Sequence, residues 1–156
     1  MKIGVLSDTH RMIKNINKAI PYLKECDLII HAGDNFSDSK YIHKATNVDI
    51  IAVKGNCDFE HVEDELVFEV DKKTIFLSHG DSYGVKNGID RIEQKAKGVN
   101  ADIVIFGHTH VPFQKNKDGI IYINPGSLSL PRGVEYKSFI IIEIEDEAIK
   151  IEEIRI

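Results

Sequence analysis

A chain of 156 residues, 42% hydrophobic and 29% charged, has the length for one domain around one substantial core. Its formal charge of −5 excludes a broad cationic surface for nucleic acid or membrane. The two cysteines, Cys26 and Cys57, exclude a disulfide framework and form no CxxC pair. The N-terminus turns polar at Ser7-Asp8, too soon for a signal peptide, and no apolar run approaches a membrane span. A reducing cytoplasm is the expected compartment, with Cys26 as a small buried hydrophobe.

Residues 3–6 read as a buried strand. Ile16, Ala19, Ile20 and Leu23 recur at helical spacing over residues 15–24, with Pro21 marking a kink or break. Residues 27–31 form a second strand, ended by Ala32-Gly33-Asp34. Ser37 or Asp38 is expected to cap a short helix that runs to Ala45. Residues 48–53 form a third strand, ended by Lys54-Gly55-Asn56. This βαβαβ order implies parallel strands with right-handed crossovers.

Antiparallel signals dominate the second half. Residues 66–70 and 74–77 flank Asp71-Lys72-Lys73 as a hairpin. A helix is expected over 84–97, ended by Gly98, and a buried strand over 101–106. Residues 113–115 and 120–123 flank Asn116-Lys117-Asp118-Gly119, a strong hairpin turn. Residues 139–144 and 148–154 flank another acidic turn. So many strands in one chain favour an α/β architecture of two packed sheets with helices outside.

The chemistry-bearing residues follow the apolar runs. Asp8 and His10 are two apart, and extended backbone would turn both to one side. The alternative is a helix-capping Asp8 and a solvated His10. Asp34 follows Gly33, which permits a tight turn, and a carboxylate can bridge two cations. An ordinary loop aspartate is the plainer reading. His31, among Leu28, Ile29 and Ile30, reads as structural or as support for the ligands. Asn56 offers a neutral amide oxygen, although Gly-Asn is also a common turn. His79-Gly80 follows one strand, and Gly107-His108-Thr109-His110 follows another. Each signal has an ordinary explanation, but five polar clusters at five strand ends share one. Ligands in open α/β folds bind along such an edge. Oxygen donors suit hard cations and imidazoles suit transition metals. No Ser or Cys sits in an activated-nucleophile motif.

Read in order, Asp8-x-His10, Gly33-Asp34, Gly55-Asn56, His79-Gly80 and Gly107-His108-x-His110 resemble the calcineurin-like metallophosphoesterase superfamily across nearly the whole chain. The length, Gly55-Asn56-Cys57-Asp58 and Asn124-Pro125-Gly126-Ser127 are most similar to its small YfcE-like phosphodiesterase branch. The resemblance implies a single domain over 1–156, folded as a four-layer α/β/β/α sandwich with two mixed β-sheets. It implies that Asp8, His10 and His110 hold a first divalent metal, that Asn56, His79 and His108 hold a second, and that Asp34 bridges them. Manganese is the implied ion, with iron, nickel, zinc or magnesium found across the wider family. The implied reaction is hydrolysis of a small phosphodiester by in-line attack of a hydroxide shared by the two metals. Asp34, Asn56 and His79 are then the catalytic positions.

Cys57 stands where larger relatives carry a histidine that assists the leaving group. A thiol is a poor proton donor at neutral pH. The reaction would then need good leaving groups or help from Asp58, unless Cys57 has no chemical role. Ser127 could orient a phosphate through a backbone nest or simply shape a turn, and Arg132 could approach the phosphate. The competing functions are a phosphomonoesterase or nucleotide phosphatase and a non-catalytic scaffold of the same fold. A small phosphodiester is the expected partner, with no stable nucleic-acid complex and no membrane. The resemblance leaves a homodimer open.

Overall fold

The computed structural model describes residues 1–156. In chain order the elements are β1 (Lys2–Leu6), α1 (Ile13–Leu23), β2 (Leu28–His31), α2 (Ser37–Thr46), β3 (Ile50–Ala52), β4 (Glu65–Val70), β5 (Lys73–Ser78), α3 (Asp90–Gly98), β6 (Ile103–Ile105), β7 (Pro112–Lys117), β8 (Ile120–Pro125), β9 (Ser138–Glu145) and β10 (Ala148–Arg155). They build two mixed five-stranded sheets, ordered β10-β9-β1-β2-β3 and β4-β5-β6-β8-β7. β1, β2 and β3 pair in parallel, as the βαβαβ reading requires. β5, β6 and β8 are parallel in the second sheet, with antiparallel β4 and β7 at its edges.

Alternation along each strand explains the layering. Ile3, Val5, Leu28, Ile30, Ile140 and Ile142 of the first sheet face Ile75, Leu77, Ile103, Ile105 and Ile123 of the second, forming the central core. The intervening residues face outward. Leu6, Ile29, Phe139 and Ile141 meet Ile16, Ala19 and Leu23 of α1 and Ile42 of α2. Phe76, Val104 and Tyr122 meet Ile92 and Ala96 of α3. Apolar residues on both faces of each sheet therefore dictate four layers, at roughly 1.5–3 kcal/mol for each large aliphatic side chain fully buried. Cys26 is buried in the outer cluster beside α1. Gly4 lets α1 pack close to β1, because a Cβ there would lie 3.3 Å from Cys26 Sγ and hard against Leu23.

Several boundaries differ from those expected. The helix expected over 84–97 starts late: a 3-10 turn, Val85–Asn87, takes its first part, and α3 follows and ends at Gly98 as expected, with a further 3-10 turn, Asp81–Tyr83, before it. Gly84 at φ +63° and Gly88 at φ +123° break the helical path. α1 begins at Ile13 and runs through Pro21 to Leu23, so the proline falls in the last turn without breaking the helix. α2 starts at Ser37 with no side-chain cap. Asp38 is turned inward instead.

Candidate metal centre

The loops after β1, β2, β5 and β6 meet at one edge of the sandwich and are sewn together through their backbones. Asp8 N–H donates to Gly33 O at 3.0 Å, and Thr9 N–H to Asp34 O at 3.2 Å. Gly107 N–H donates to His79 O at 3.0 Å. The two sheets are then joined, with His108 N–H donating to Asp8 Oδ2 at 3.1 Å.

Asp8, His10, Asp34 and His110 converge, with one ligand atom from each lying within 4.8 Å of all the others. His10 Nε2 is 3.3 Å from His110 Nε2, and His110 Nε2 is 3.1 Å from Asp8 Oδ1. His79 Nε2 lies 3.3 Å from Asp34 Oδ1, and the His79 ring centroid is 5.1 Å from that of His108. Donors arranged around one ion at about 2.1 Å stand about 3.0–3.4 Å apart, the spacing of the closest pairs here, while His10 Nε2 stands 4.0 Å from Asp8 Oδ1 and 3.8 Å from Asp34 Oδ2. Asn56 is exposed, and its amide donates to Cys57 Sγ at 3.5 Å.

The ring tautomers show what the cluster is built to receive. His79 Nδ1–H donates to Ala32 O at 2.7 Å, and His110 Nδ1–H donates to Leu130 O at 2.6 Å. In each neutral ring Nε2 is then a bare lone pair aimed at a carboxylate oxygen. His79 Nε2 and Asp8 Oδ1 are buried with no hydrogen-bond partner. Lone pair against lone pair at this range is repulsive unless a proton or cation lies between them. Imidazoles anchored through Nδ1 to backbone carbonyls are the usual arrangement of metal-binding histidines. Two nearby carboxylates add the negative charge that a divalent ion offsets. The residues present therefore fit a metal.

The same pull shows in the site's protonation. Burial opposes charge on His79, but Asp34 and Asp8 outweigh it and raise its basicity. Burial likewise opposes charge on His110, and the Asp8 carboxylate overrides it. Burial would raise the Asp34 carboxyl, yet His79 and the Cys57 N–H, donating at 3.0 Å, hold it far below the usual carboxylate range. His108 is shifted down by burial, then by His79 and Lys86.

The backbone here is not extended, contrary to the geometry assumed for Asp8 and His10. Asp8, His10, Asp34, His108 and His110 all have left-handed φ, between 44° and 66°. Each such residue costs about 1 kcal/mol or more, and strain of this kind persists where the surroundings over-determine it. Much of that surrounding structure was not anticipated. Gly33 N–H donates to His31 Nδ1 at 3.1 Å, so His31 Nε2–H donates to Thr9 Oγ1 at 3.0 Å. Thr9 O–H in turn donates to Asp38 Oδ2 at 2.6 Å, which also receives Arg11 N–H at 2.8 Å. This buried relay ties the β1 and β2 loops together. Burial lowers the His31 pKa to about 4, which keeps it neutral. Asn124 Nδ2–H donates to Gly107 O at 2.7 Å and to Thr9's counterpart in the histidine loop, Thr109 Oγ1, at 3.0 Å.

Three further positions are settled by their contacts. Asp58 accepts N–H groups from Asn35, Phe36 and Gly55 at 3.1, 2.9 and 2.8 Å, so its carboxylate clamps two loops and is not free to serve a leaving group. Ser127 is fully buried and donates to Asp8 O at 2.7 Å, which makes it a support for the β1 loop. Arg132 is exposed, and its N–H donates to His110 O at 3.1 Å.

The calcineurin-like phosphoesterase superfamily domain model matches residues 1–147. A phosphodiesterase of Methanocaldococcus jannaschii is 33% identical over 81% of this chain and 83% of its own. The solved structure of an archaeal phosphodiesterase superposes with a TM-score of 0.82 at 28% identity, covering 100% of both chains. Vps29 from Entamoeba histolytica, solved with zinc, shares the fold at a TM-score of 0.76 and 20% identity, over 99% of both chains. Two mixed sheets, a buried carboxylate–imidazole cluster at their common edge and a family match over nearly the full length agree: the chain belongs to the calcineurin-like phosphoesterase superfamily.

Proposed function

We propose that the protein is a two-metal phosphodiesterase acting on small phosphodiesters. The convergence of Asp8, His10, Asp34 and His110 carries the reading, with His79 and His108 across the Asp34 carboxylate. On this reading Asp8, His10 and His110 would hold one ion, His79, His108 and Asn56 the other, and Asp34 would be shared between them. Divalent ions, for which manganese suits the mixed oxygen and imidazole donors, would supply a water of lowered pKa and Lewis-acid contacts to phosphoryl oxygens.

The chain's own contribution is placement. Nδ1–H bonds to Ala32 O and Leu130 O fix the rings of His79 and His110. Cys57 N–H orients the Asp34 carboxylate. Asn56 is exposed and would have to leave Cys57 Sγ to join the second ion. Burial, followed by the neighbouring Asp34, pushes the Cys57 thiol up to about 11, so it is ill-suited to protonate a leaving group at neutral pH. Substrates with good leaving groups should therefore be preferred. The phosphodiesterase name of the M. jannaschii relative supports diesters over monoesters.

Metal-stripped protein should hydrolyse bis-p-nitrophenyl phosphate when manganese is restored, and p-nitrophenyl phosphate poorly. A reversed preference would favour the phosphatase. No turnover of either substrate, with any of the implied metals, would favour a scaffold.

A further inference from the structure

Beside the metal centre lies an open cleft of 440 Å³, within the range of small-molecule sites, roughly 300–1,000 Å³. Its walls come from the segments that present the histidines. Phe106 precedes Gly107-His108, Thr109 lies between His108 and His110, and Val111 follows His110. Val85 closes one side and packs on Gly80, the residue after His79, where a Cβ would come within 2.9 Å of Val85 Cγ2. Phe113 faces Phe106 across the wall, with ring centroids 6.0 Å apart and planes tilted by 56°.

The cleft's charge is opposite to that of the molecule. The chain carries −5, yet the charged residues lining this space are Lys86 and Lys115. Lys115 is 3.5 Å from Glu93. Lys86 is exposed, has no carboxylate within ion-pair distance, and lines the cleft together with Thr109 of the histidine loop. An aromatic-walled space with an unpaired cation at its rim and phosphate-binding groups at its end suits one kind of occupant, an aromatic group carried on an anion.

We infer that this cleft is the specificity subsite of the phosphodiesterase, in which Phe106, Val111 and Phe113 hold an aromatic organic group esterified to the phosphate and Lys86 offsets the phosphate charge. The inference rests on the proposed function and deepens it by naming the substrate class. Relative to an alkyl ester of equal reactivity, an aryl ester gains contact with Phe113 and Phe106. The gain belongs in KM, because the contact is remote from the reacting bond.

The test compares bis-p-nitrophenyl phosphate with methyl p-nitrophenyl phosphate, which share a leaving group and differ in the second ester. Manganese-loaded wild-type protein should favour the bis-aryl substrate through a lower KM. Phe113→Ala should reduce that preference by roughly 3- to 10-fold, in line with the worth of an aromatic pair. Val111→Asp, at a position 37% exposed and so cheap for folding, should reduce it as well by placing a carboxylate in the cleft. Independently of turnover, the aromatic anion anilinonaphthalene sulfonate should bind the folded, metal-free protein, and both substitutions should weaken it. Turnover of both substrates with an unchanged ratio in both variants would overturn the subsite while leaving the phosphodiesterase standing. If wild-type protein turned over neither substrate, the substrate assignment would fall with the function it rests on. Dye binding unaffected by either substitution would then overturn the aromatic-anion site too.

Discussion

His31 touches none of the proposed ligands, yet it holds the loops that carry two of them. Its ring is fully buried, accepts Gly33 N–H on Nδ1 and donates Nε2–H to Thr9 Oγ1. A free histidine titrates near 6.5, and burial lowers this one to about 4, against the opposing pull of Asp38, Asp8 and Asp58 and with a further push from His79. Between those values the unfolded chain binds a proton that the folded chain refuses. The stability His31 confers is therefore full above pH 6.5 and is lost as pH falls toward 4, by roughly 3 kcal/mol. In chelator-treated protein, His31→Gln should lower stability at neutral pH and flatten the pH dependence across this window, as read from urea midpoints. Parallel pH profiles for variant and wild type would contradict the role.

Cys57 meets Asp34 through both its thiol and its backbone, and the backbone contact is the one expected to matter for activity. Its N–H orients Asp34, and any residue supplies an N–H. Cys57→Ala should keep kcat close to wild type on a mixed diester that expels an alkoxide as well as on aryl diesters, whereas loss of a working general acid would cost ~100-fold or more on the alkoxide leaving group. Asp8, His10, Asp34, His79, His108 and His110 were legible because each ends an apolar run. Thr9, Asp38 and Asn124 were not, because their roles depend on partners 29, 29 and 17 positions away or on a neighbour's side chain. Asp38 was mistaken for a helix cap by its position in the chain, when the unpaired groups of Thr9 and Arg11 claim its carboxylate.

At the scale of elements, strand ends and close-approaching glycines define the centre. A Cβ on Gly55 would lie 2.6 Å from Asp34 N and press on the Asp34 carboxylate, and one on Gly107 would lie 2.8 Å from Asp8 Oδ2. Gly55→Ala should therefore displace the bridging carboxylate, lowering manganese-dependent turnover by ~10-fold or more while costing about 1–3 kcal/mol of stability. Gly98→Ala is the control. It meets nothing within 4 Å, lies at the end of α3, and should leave activity unchanged. Equal effects at the two glycines would refute the crowding argument. The parallel strands were legible because β-branched runs alternate with one amphipathic helix pattern. The segment before α3 was not, although Gly84 and Gly88 carried the signal. Apolar residues at Val85, Ile89 and Ile92 mimic a helical stripe, yet they serve a turn-built wall of the cleft and only the first turn of a helix.

At the scale of the whole molecule, two sheets supply two halves of one centre. Asp8, His10, Asp34 and Asn56 come from the first sheet's loops, and His79, His108 and His110 from the second's. On the proposed assignment each ion draws donors from both sheets, so neither half alone completes either site. Sheet packing through Ile3, Val5, Ile75 and Ile105 is thus what fixes the spacing between them. Two packed sheets could be foreseen from the number of strands, and the four layers from the family resemblance. The left-handed backbone at five of the proposed ligands could not, because it is imposed by contacts between loops rather than by local preference.

The measurement that bears most directly on this account is the manganese content of wild-type and Asp34→Asn protein, each stripped, reloaded and freed of excess ion. The account predicts two ions per wild-type chain, and in the variant fewer ions together with loss of diester hydrolysis. One ion per wild-type chain, or none, or full occupancy in Asp34→Asn, would contradict a centre bridged by Asp34.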